Sequence, residues 1–161
     1  REQVTGFQMA GELLGMDGVA NDEHQVDAVA LEDSEVCVLP YHELENMSRQ
    51  SSPLQRQLHR VMSREIVHDH SIMMVLGGMK ADARVAAFLL NLSKRFESRG
   101  YDPNRFQVRA TREEIGSYLG LTLETVSRAF KRLQSQGHIT VAGKEMEIKN
   151  ADALHELSST C

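Results

Sequence analysis

Three polar side chains at close spacing carry the most informative chemistry of this chain: Glu124, Ser127 and Arg128. Residues three and four positions apart lie on one face of a helix. An Arg guanidinium can bond two acceptors of guanine, a Glu carboxylate can accept from the cytosine amino group, and a Ser hydroxyl suits several bases. This set predicts the reading of base edges in duplex DNA. The alternative is a solvated helix with an ion pair between Glu124 and Arg128.

The elements around these residues predict a helix-turn-helix followed by a β-hairpin. Thr111 and Glu114 have the spacing of a capping box that opens one helix, and Thr122 caps a second helix ending near Gln134. The inner face of the second helix is apolar: Val126, Phe130 and Leu133. Residues 137–149 then alternate as two short strands around a turn at 142–144. A hairpin directly after a helix-turn-helix indicates a winged helix.

Cationic and hydroxyl side chains flank the base-reading set and suit contacts with phosphate. They are Thr111, Arg112, Thr122, Thr125, Lys131 and Lys144. Lys144 stands at the tip of the predicted wing.

Charge is divided unevenly along the 161 residues, whose formal net charge is −5. Residues 1–48 hold one base and eleven acids, whereas residues 49–161 hold 17 bases and 12 acids. The first part repels DNA and the second attracts it. With 41% apolar and 25% charged residues, the composition excludes a disordered chain. Two cysteines and no long apolar run exclude a disulfide framework and a membrane-spanning protein, so we expect a cytoplasmic protein.

The first 40 residues are punctuated by glycines and predict short strands, the last of them at 36–39 before Pro40. They are too few to bury a core of their own, and the chain begins at Arg1. We therefore interpret the chain as the N-terminally truncated form of a longer protein.

A long helix is predicted from Ser52, as its N-cap, and Pro53 to the pair Gly77-Gly78. It carries two apolar stripes. One contains Leu54, Leu58, Val61, Ile72 and Val75; the other row contains His59, Met62, Ile66, Asp69, Met73 and Leu76. Because one buried face needs one stripe, the second indicates the seam of a two-fold homodimer. The alternative is a helix buried in a larger monomeric core. A further amphipathic helix is predicted at 81–99, with Val85, Phe88, Leu89 and Leu92 inside.

Residues 114–128, E-I-G-S-Y-L-G-L-T-L-E-T-V-S-R, closely resemble the signature of the Crp/Fnr family of bacterial transcription factors, especially its FNR (fumarate and nitrate reductase regulator) branch. The resemblance implies an α+β fold with the end of a β-roll sensor domain at 1–46. A dimerisation helix and hinge at 47–78 and a winged-helix DNA-binding domain at 79–161 would follow. It also implies double-stranded DNA, a second copy and RNA polymerase as partners. The catabolite-activator branch has a further Arg where this chain has Leu123. The absence of that Arg favours the palindrome of the FNR branch, which has TTGA half-sites.

The resemblance also bears on the signal. Gly11-Glu12-Leu13 matches a motif of the cyclic-nucleotide branch, but no Arg or Lys lies between Arg1 and Arg49 to hold a phosphate. The FNR branch instead binds an oxygen-labile [4Fe–4S] cluster through four cysteines, and Cys37 resembles the fourth ligand. The other three would precede Arg1, and Cys161 has no counterpart, so this chain alone is not expected to hold a cluster. The alternative role for Cys37 is that of a buried cysteine in a strand. The alternative function is a family member that senses through thiols or another ligand without a cluster.

Other functional classes find little support. His68 and His70 lie about 200° apart around a helix and do not converge on one ion. No motif of a nucleotide-binding or hydrolytic enzyme is present, and Cys37 with His42 lacks a third orienting group. We therefore predict no enzyme. A winged helix that binds protein instead of DNA stays open, because only the salt dependence of binding would distinguish it.

Overall fold

The computed structural model describes residues 3–159, which form six α-helices and a three-stranded sheet. The chain divides into two compact units, one spanning Phe7–Ser71 and the other joining the residues up to Gly6 with those from Ile72 onward. The helices are α1 Tyr41–Gln50, α2 Ser52–Gly78, α3 Ala81–Glu97, α4 Arg112–Leu119, α5 Leu123–Ser135 and α6 Ala151–Ser159. The strands are β1 Arg105–Gln107, β2 Ile139–Ala142 and β3 Glu145–Ile148.

The short strands predicted within residues 1–40 are wrong for the described part of that segment. Residues 3–40 form no hydrogen-bonded strand, and a single 3₁₀ turn at Met16–Val19 is their regular element. A strand is held by ladder bonds to a neighbouring strand, and residues 3–40 supply none to each other. Asp17 organises the loop instead, because its carboxylate accepts from the backbone N–H of Gln25 at 2.6 Å. The hydrogen bonds from the Gln25 and Val26 N–H groups lower the pKa of Asp17.

The long helix is confirmed as α2, which begins at Ser52 and ends at Gly78. The N-cap lies one residue earlier than predicted: the Ser51 carbonyl accepts from the Gln55 N–H at 3.0 Å. Within residues 3–159, no helix is long and apolar enough to cross a bilayer. Cys161 lies outside the described residues.

The unit that contains the residues from Ile72 onward is called the C-terminal unit, and its core is built around α3, which packs against α5 and α6. Its predicted inner residues are buried: Val85, Phe88, Leu89 and Leu92. The predicted hairpin is confirmed as β2 and β3, which pair antiparallel with Val141 opposite Met146. The sequence did not predict α1, α6 or β1, which pairs antiparallel with β3 and gives the sheet order β1-β3-β2.

Candidate nucleic-acid interface

The capping box at the start of α4 is present as predicted. Thr111 Oγ1 accepts from the Glu114 N–H at 3.1 Å, and the Thr111 N–H donates to Glu114 Oε2 at 2.6 Å. Two of the free donors at the helix start are thereby satisfied. Thr111 stays exposed beside a helix N-terminus, which is a favourable place for an anion.

Two glycines allow the tight turn between α4 and α5. Gly120 ends α4 in the left-handed region, with φ 63° and ψ 36°, where a side chain is unfavourable. Gly116 is buried in α4, and a Cβ built there would lie 2.7 Å from the Leu121 carbonyl oxygen. Since that distance is shorter than any ordinary contact, only glycine fits this approach of helix and turn.

The recognition helix α5 begins at a second side-chain cap. Thr122 Oγ1 accepts from the Thr125 N–H at 3.2 Å, and the two hydroxyls lie 3.0 Å apart. The hydroxyl of Thr122 is therefore engaged in the cap while Thr122 itself remains exposed. The predicted inner face is buried: Val126, Phe130 and Leu133.

The opposite face of α5 presents the predicted base readers. Glu124 and Arg128 are exposed, and Ser127 is half-buried. Lys131 is also exposed and lies on the same face, one turn beyond Ser127. Arg128 Nη2 donates to Thr125 Oγ1 at 3.3 Å, so the hydroxyl orients the guanidinium along the helix. The structure thus brings these side chains together on one exposed surface.

A cleft of about 250 Å³ lies between the wing tip and the start of α4. Three predicted phosphate-binding residues line it, namely Thr111, Arg112 and Lys144. The Val108 N–H donates to the Lys144 carbonyl at 2.9 Å and fixes the wing tip against the chain that enters α4. Arg109 also lines the cleft and was missed in the sequence. The signal that could have identified Arg109 is its position two residues before the N-cap and three before Arg112.

Arg112, the first residue of α4, contacts a residue of α5. Its guanidinium carbon lies 3.4 Å from the centre of the Phe130 ring, which is a cation–π contact. Burial lowers the pKa of Arg112 from its ordinary value. An arginine pKa starts so far above neutrality that the group stays charged. A partly desolvated cation at the cleft gains from the approach of an anion.

The predicted dimer row on α2 is exposed over most of its length. Ile66 and Met73 are 57% and 59% exposed, and Asp69 is exposed between them. The first stripe differs, because all five of its residues are half-buried: Leu54, Leu58, Val61, Ile72 and Val75. The two stripes therefore differ in environment within the described chain.

Cys37 is an exposed free thiol in a segment without helix or strand structure. The alternative of a buried strand cysteine is therefore wrong. Its neighbours Val36 and Val38 are 69% and 83% exposed. Across residues 3–159, no three His, Cys, Asp or Glu side chains come together to hold a metal ion. The described residues supply one thiolate, and four are needed for the implied cluster, so they do not fit that cofactor by themselves.

Sequence comparison shows that this chain is similar to known regulators. Residues 83–157 match the Crp-like helix-turn-helix domain. The chain is 47% identical over 155 residues to the transcriptional regulatory protein btr of Bordetella pertussis, covering 96% of this chain and 64% of that protein. It is 44% identical over 157 residues to the fumarate and nitrate reduction regulatory protein of Escherichia coli, covering 98% and 63%. The chain thus spans slightly less than two thirds of these relatives. They are regulators by name, in agreement with the prediction against an enzyme.

Solved structures share the fold. The FixK2 structure from Bradyrhizobium japonicum has a TM-score of 0.68 and 33% identity, covering 74% of this chain and 59% of that chain. A CooA variant from Carboxydothermus hydrogenoformans has a TM-score of 0.62 and 21% identity, covering 74% and 55%, and supports the fold alone. The predicted α+β fold class and the resemblance are confirmed by these matches, apart from the strand correction within residues 3–40.

Proposed function

The chain belongs to the Crp/Fnr family of transcriptional regulators, and on that premise we propose that it is a sequence-specific DNA-binding regulator that acts as a homodimer. One observation carries the proposal. The exposed face of α5, which begins at the Thr122 cap, holds an acid, a hydroxyl and an arginine, and the cleft between the wing tip and the start of α4 is lined by three bases, Arg109, Arg112 and Lys144. A regulator of this kind acts on the chromosome in the bacterial cytoplasm.

Base reading is assigned to Glu124, Ser127 and Arg128. The N-terminal part of a recognition helix reaches base edges in the major groove, and these residues occupy the first two turns of α5. Arg128 suits a guanine and Glu124 suits the amino group of a cytosine, which together fit the G·C pair of a TTGA half-site. Leu123, 46% exposed, stands where another branch of the family carries an arginine.

Phosphate contacts are assigned to residues at the start of α4, in and before α5, and at the wing tip: Thr111, Arg112, Thr122, Thr125, Lys131 and Lys144. We add Arg109, because it lines the same cleft as Arg112 and Lys144. Hydroxyls, lysines and arginines near helix N-termini are common phosphate partners. The Thr122 and Thr125 hydroxyls already bond within the cap, so their share in binding is smaller than that of the cationic side chains.

The dimer seam is assigned to the row His59, Met62, Ile66, Asp69, Met73 and Leu76. Its exposed apolar residues support a partner helix, and a two-fold axis would bring two recognition helices to the two halves of a palindrome. RNA polymerase is the further partner that follows for a transcriptional activator or repressor.

DNA binding is tested by fluorescence anisotropy of the full-length protein with a labelled TTGA palindrome and with a shuffled duplex of equal length. We expect the palindrome to bind at least 10³-fold tighter, in the range of specific regulators. The logarithm of the binding constant should fall linearly with the logarithm of salt concentration. Equal binding to the two duplexes would reject sequence-specific recognition. The absence of any salt-dependent binding would favour a protein-interaction module.

For the signal, we propose an oxygen-responsive protein in which Cys37 is one ligand of a [4Fe–4S] cluster. The exposed thiol of Cys37 supports this proposal, because a cysteine that shares a cluster with other cysteines must be accessible to the iron. The second candidate is a regulator that senses redox state through thiols, or another small ligand, without a cluster. The same exposed thiol is compatible with oxidation.

Iron and acid-labile sulfide per chain separate these two candidates. Both are measured in the full-length protein after anaerobic reconstitution, with Cys37→Ser as the matched variant. Near-stoichiometric iron and sulfide that are lost in Cys37→Ser, and on exposure to air, would support the cluster. If neither protein takes up iron, the cluster is rejected and sensing through thiols or a small ligand becomes the working proposal.

A further inference from the structure

Arg84, in the first turn of α3, binds three separate backbone segments with one guanidinium group. Its Nε donates to the Met79 carbonyl, its Nη1 to the Leu119 carbonyl and its Nη2 to the Leu76 carbonyl, each at 2.9 Å. Leu76 belongs to the last turn of α2, Met79 to the connection that follows it, and Leu119 is the final residue of α4. Arg84 itself is half-buried.

These acceptors need an outside donor. The last four carbonyls of a helix have no partner within the helix, and Leu76 and Leu119 are among them for α2 and α4. A cation at a helix C-terminus is favoured by the helix dipole, and here one cation serves two helix ends. The planar fork of an arginine holds its donors in fixed directions, so it also fixes the acceptors relative to one another. A lysine, with a single ammonium group, has no such fork.

The turn of the helix-turn-helix lies directly against the end of α2 at this point. A Cβ built on Gly120 would lie 3.4 Å from Arg84 Nη1 and 3.4 Å from Leu76 Cδ2. The turn therefore packs directly against the side chains of Arg84 and Leu76.

The first turn of α3 also holds the recognition helix. Asp82 accepts from Arg132 Nε at 2.7 Å and from its Nη2, which is a two-pronged ion pair with α5. The hydrogen bonds that Arg132 donates to Asp82 raise the pKa of Arg132. Residues 82 and 84 thus join the start of α3 to the end of α2 and to both helices of the DNA-binding motif.

We propose that Arg84 is a positioning residue for DNA recognition, which fixes the α4–α5 turn to the C-terminal end of α2. Arg84 contacts no DNA in this proposal; it sets where α5 lies relative to the end of the helix that carries the dimer row. The inference rests on the proposed function for its effect on DNA. The structural link itself is independent of that function.

The test compares Arg84→Met and Arg84→Lys with a matched control, Lys94→Met, in the full-length protein. Lys94 lies on the same helix and is exposed, so its replacement removes the same charge without touching this link. We expect Arg84→Met to weaken binding to the palindrome about tenfold, because charge-assisted hydrogen bonds are lost. Binding to the shuffled duplex should change much less. Arg84→Lys should resemble Arg84→Met, since charge without the fork does not restore the link.

Amide hydrogen exchange supplies the readout that needs no DNA. We expect both Arg84 variants to exchange faster at residues 72–80 and 117–123, with α6 unchanged, and Lys94→Met to match the wild type. Full rescue by Arg84→Lys would overturn the proposal, because charge alone would then suffice. Unchanged exchange in both segments would also overturn it, even if the wild type binds no DNA and the proposed function fails. If Arg84→Met does not fold, Arg84→Lys decides by the same two criteria.

Discussion

Arg128 Nη2 donates a hydrogen bond to Thr125 Oγ1 at 3.3 Å, across one turn of α5. A guanidinium carries five donors, so most remain for a ligand after this bond is made. Thr125 in turn donates its backbone N–H to the Thr122 cap. The proposed base reader is therefore tied to the cap of the helix that presents it.

Replacing Arg128 with alanine should lower affinity for the palindrome by about 1–3 kcal/mol and relax the preference at one base pair. The reason is the loss of a bidentate contact with guanine. Anisotropy titrations on the palindrome, on duplexes changed at each position and on shuffled DNA measure the effect. Equal losses on every duplex would mean that Arg128 contacts phosphate only.

Replacing Lys144 with alanine should weaken binding to the palindrome and to shuffled DNA alike. Lys144 lies at the exposed wing tip in the cleft with Arg112, where its charge reaches phosphate without reading sequence. The slope of log affinity against log salt should fall by about one. Titrations at four salt concentrations give that slope, and a loss confined to the palindrome would contradict the assignment.

Replacing Gly116 with alanine should destabilise the C-terminal unit by about 1–3 kcal/mol, because the new methyl group meets the Leu121 carbonyl. Gly77 is the matched control: it lies in α2 with no atom within 4 Å of an added Cβ. There the same change should stabilise the helix by up to about 1 kcal/mol. Thermal and urea unfolding of both variants test the pair. Two effects of the same sign would refute the steric explanation.

Replacing Asp69 with alanine should strengthen dimerisation of the full-length protein in air. If the exposed row is a two-fold seam, two Asp69 carboxylates face each other and repel. Removing the pair should tighten association about fivefold. Sedimentation at several concentrations measures this, and Asp69→Asn isolates the charge from the size. An unchanged dimer constant in both variants would remove Asp69 from the seam.

The helices and the wing could be predicted because their signals are local. The capping box of Thr111 and Glu114, the left-handed Gly120 and the apolar spacing of α5 each act within a few residues. The same reasoning failed for residues 3–40, where alternation predicts a strand only if another strand pairs with it. Strand β1 was not predicted because three residues are too few to show an alternating pattern. Its partner strand β3 lies about 40 residues away in the sequence.

The residues of the candidate site could be predicted from their types and spacing, whereas their arrangement around the cleft could not. The base readers follow from helical spacing, whereas the cleft depends on the Val108–Lys144 backbone contact across 36 positions. Arg84 gave no sequence signal, because its three partners are carbonyl groups, which every residue has. Backbone acceptors are visible only after the chain has folded.

The hydrogen bond between the Val108 N–H and the Lys144 carbonyl has a thermodynamic consequence for DNA binding. The wing tip and the entry to α4 are already ordered together, so little conformational entropy is lost when they meet a duplex. We therefore expect this surface to bind DNA with little change in its own backbone conformation. Its heat-capacity change should reflect the surface that is buried, without the larger contribution of a segment that folds as it binds.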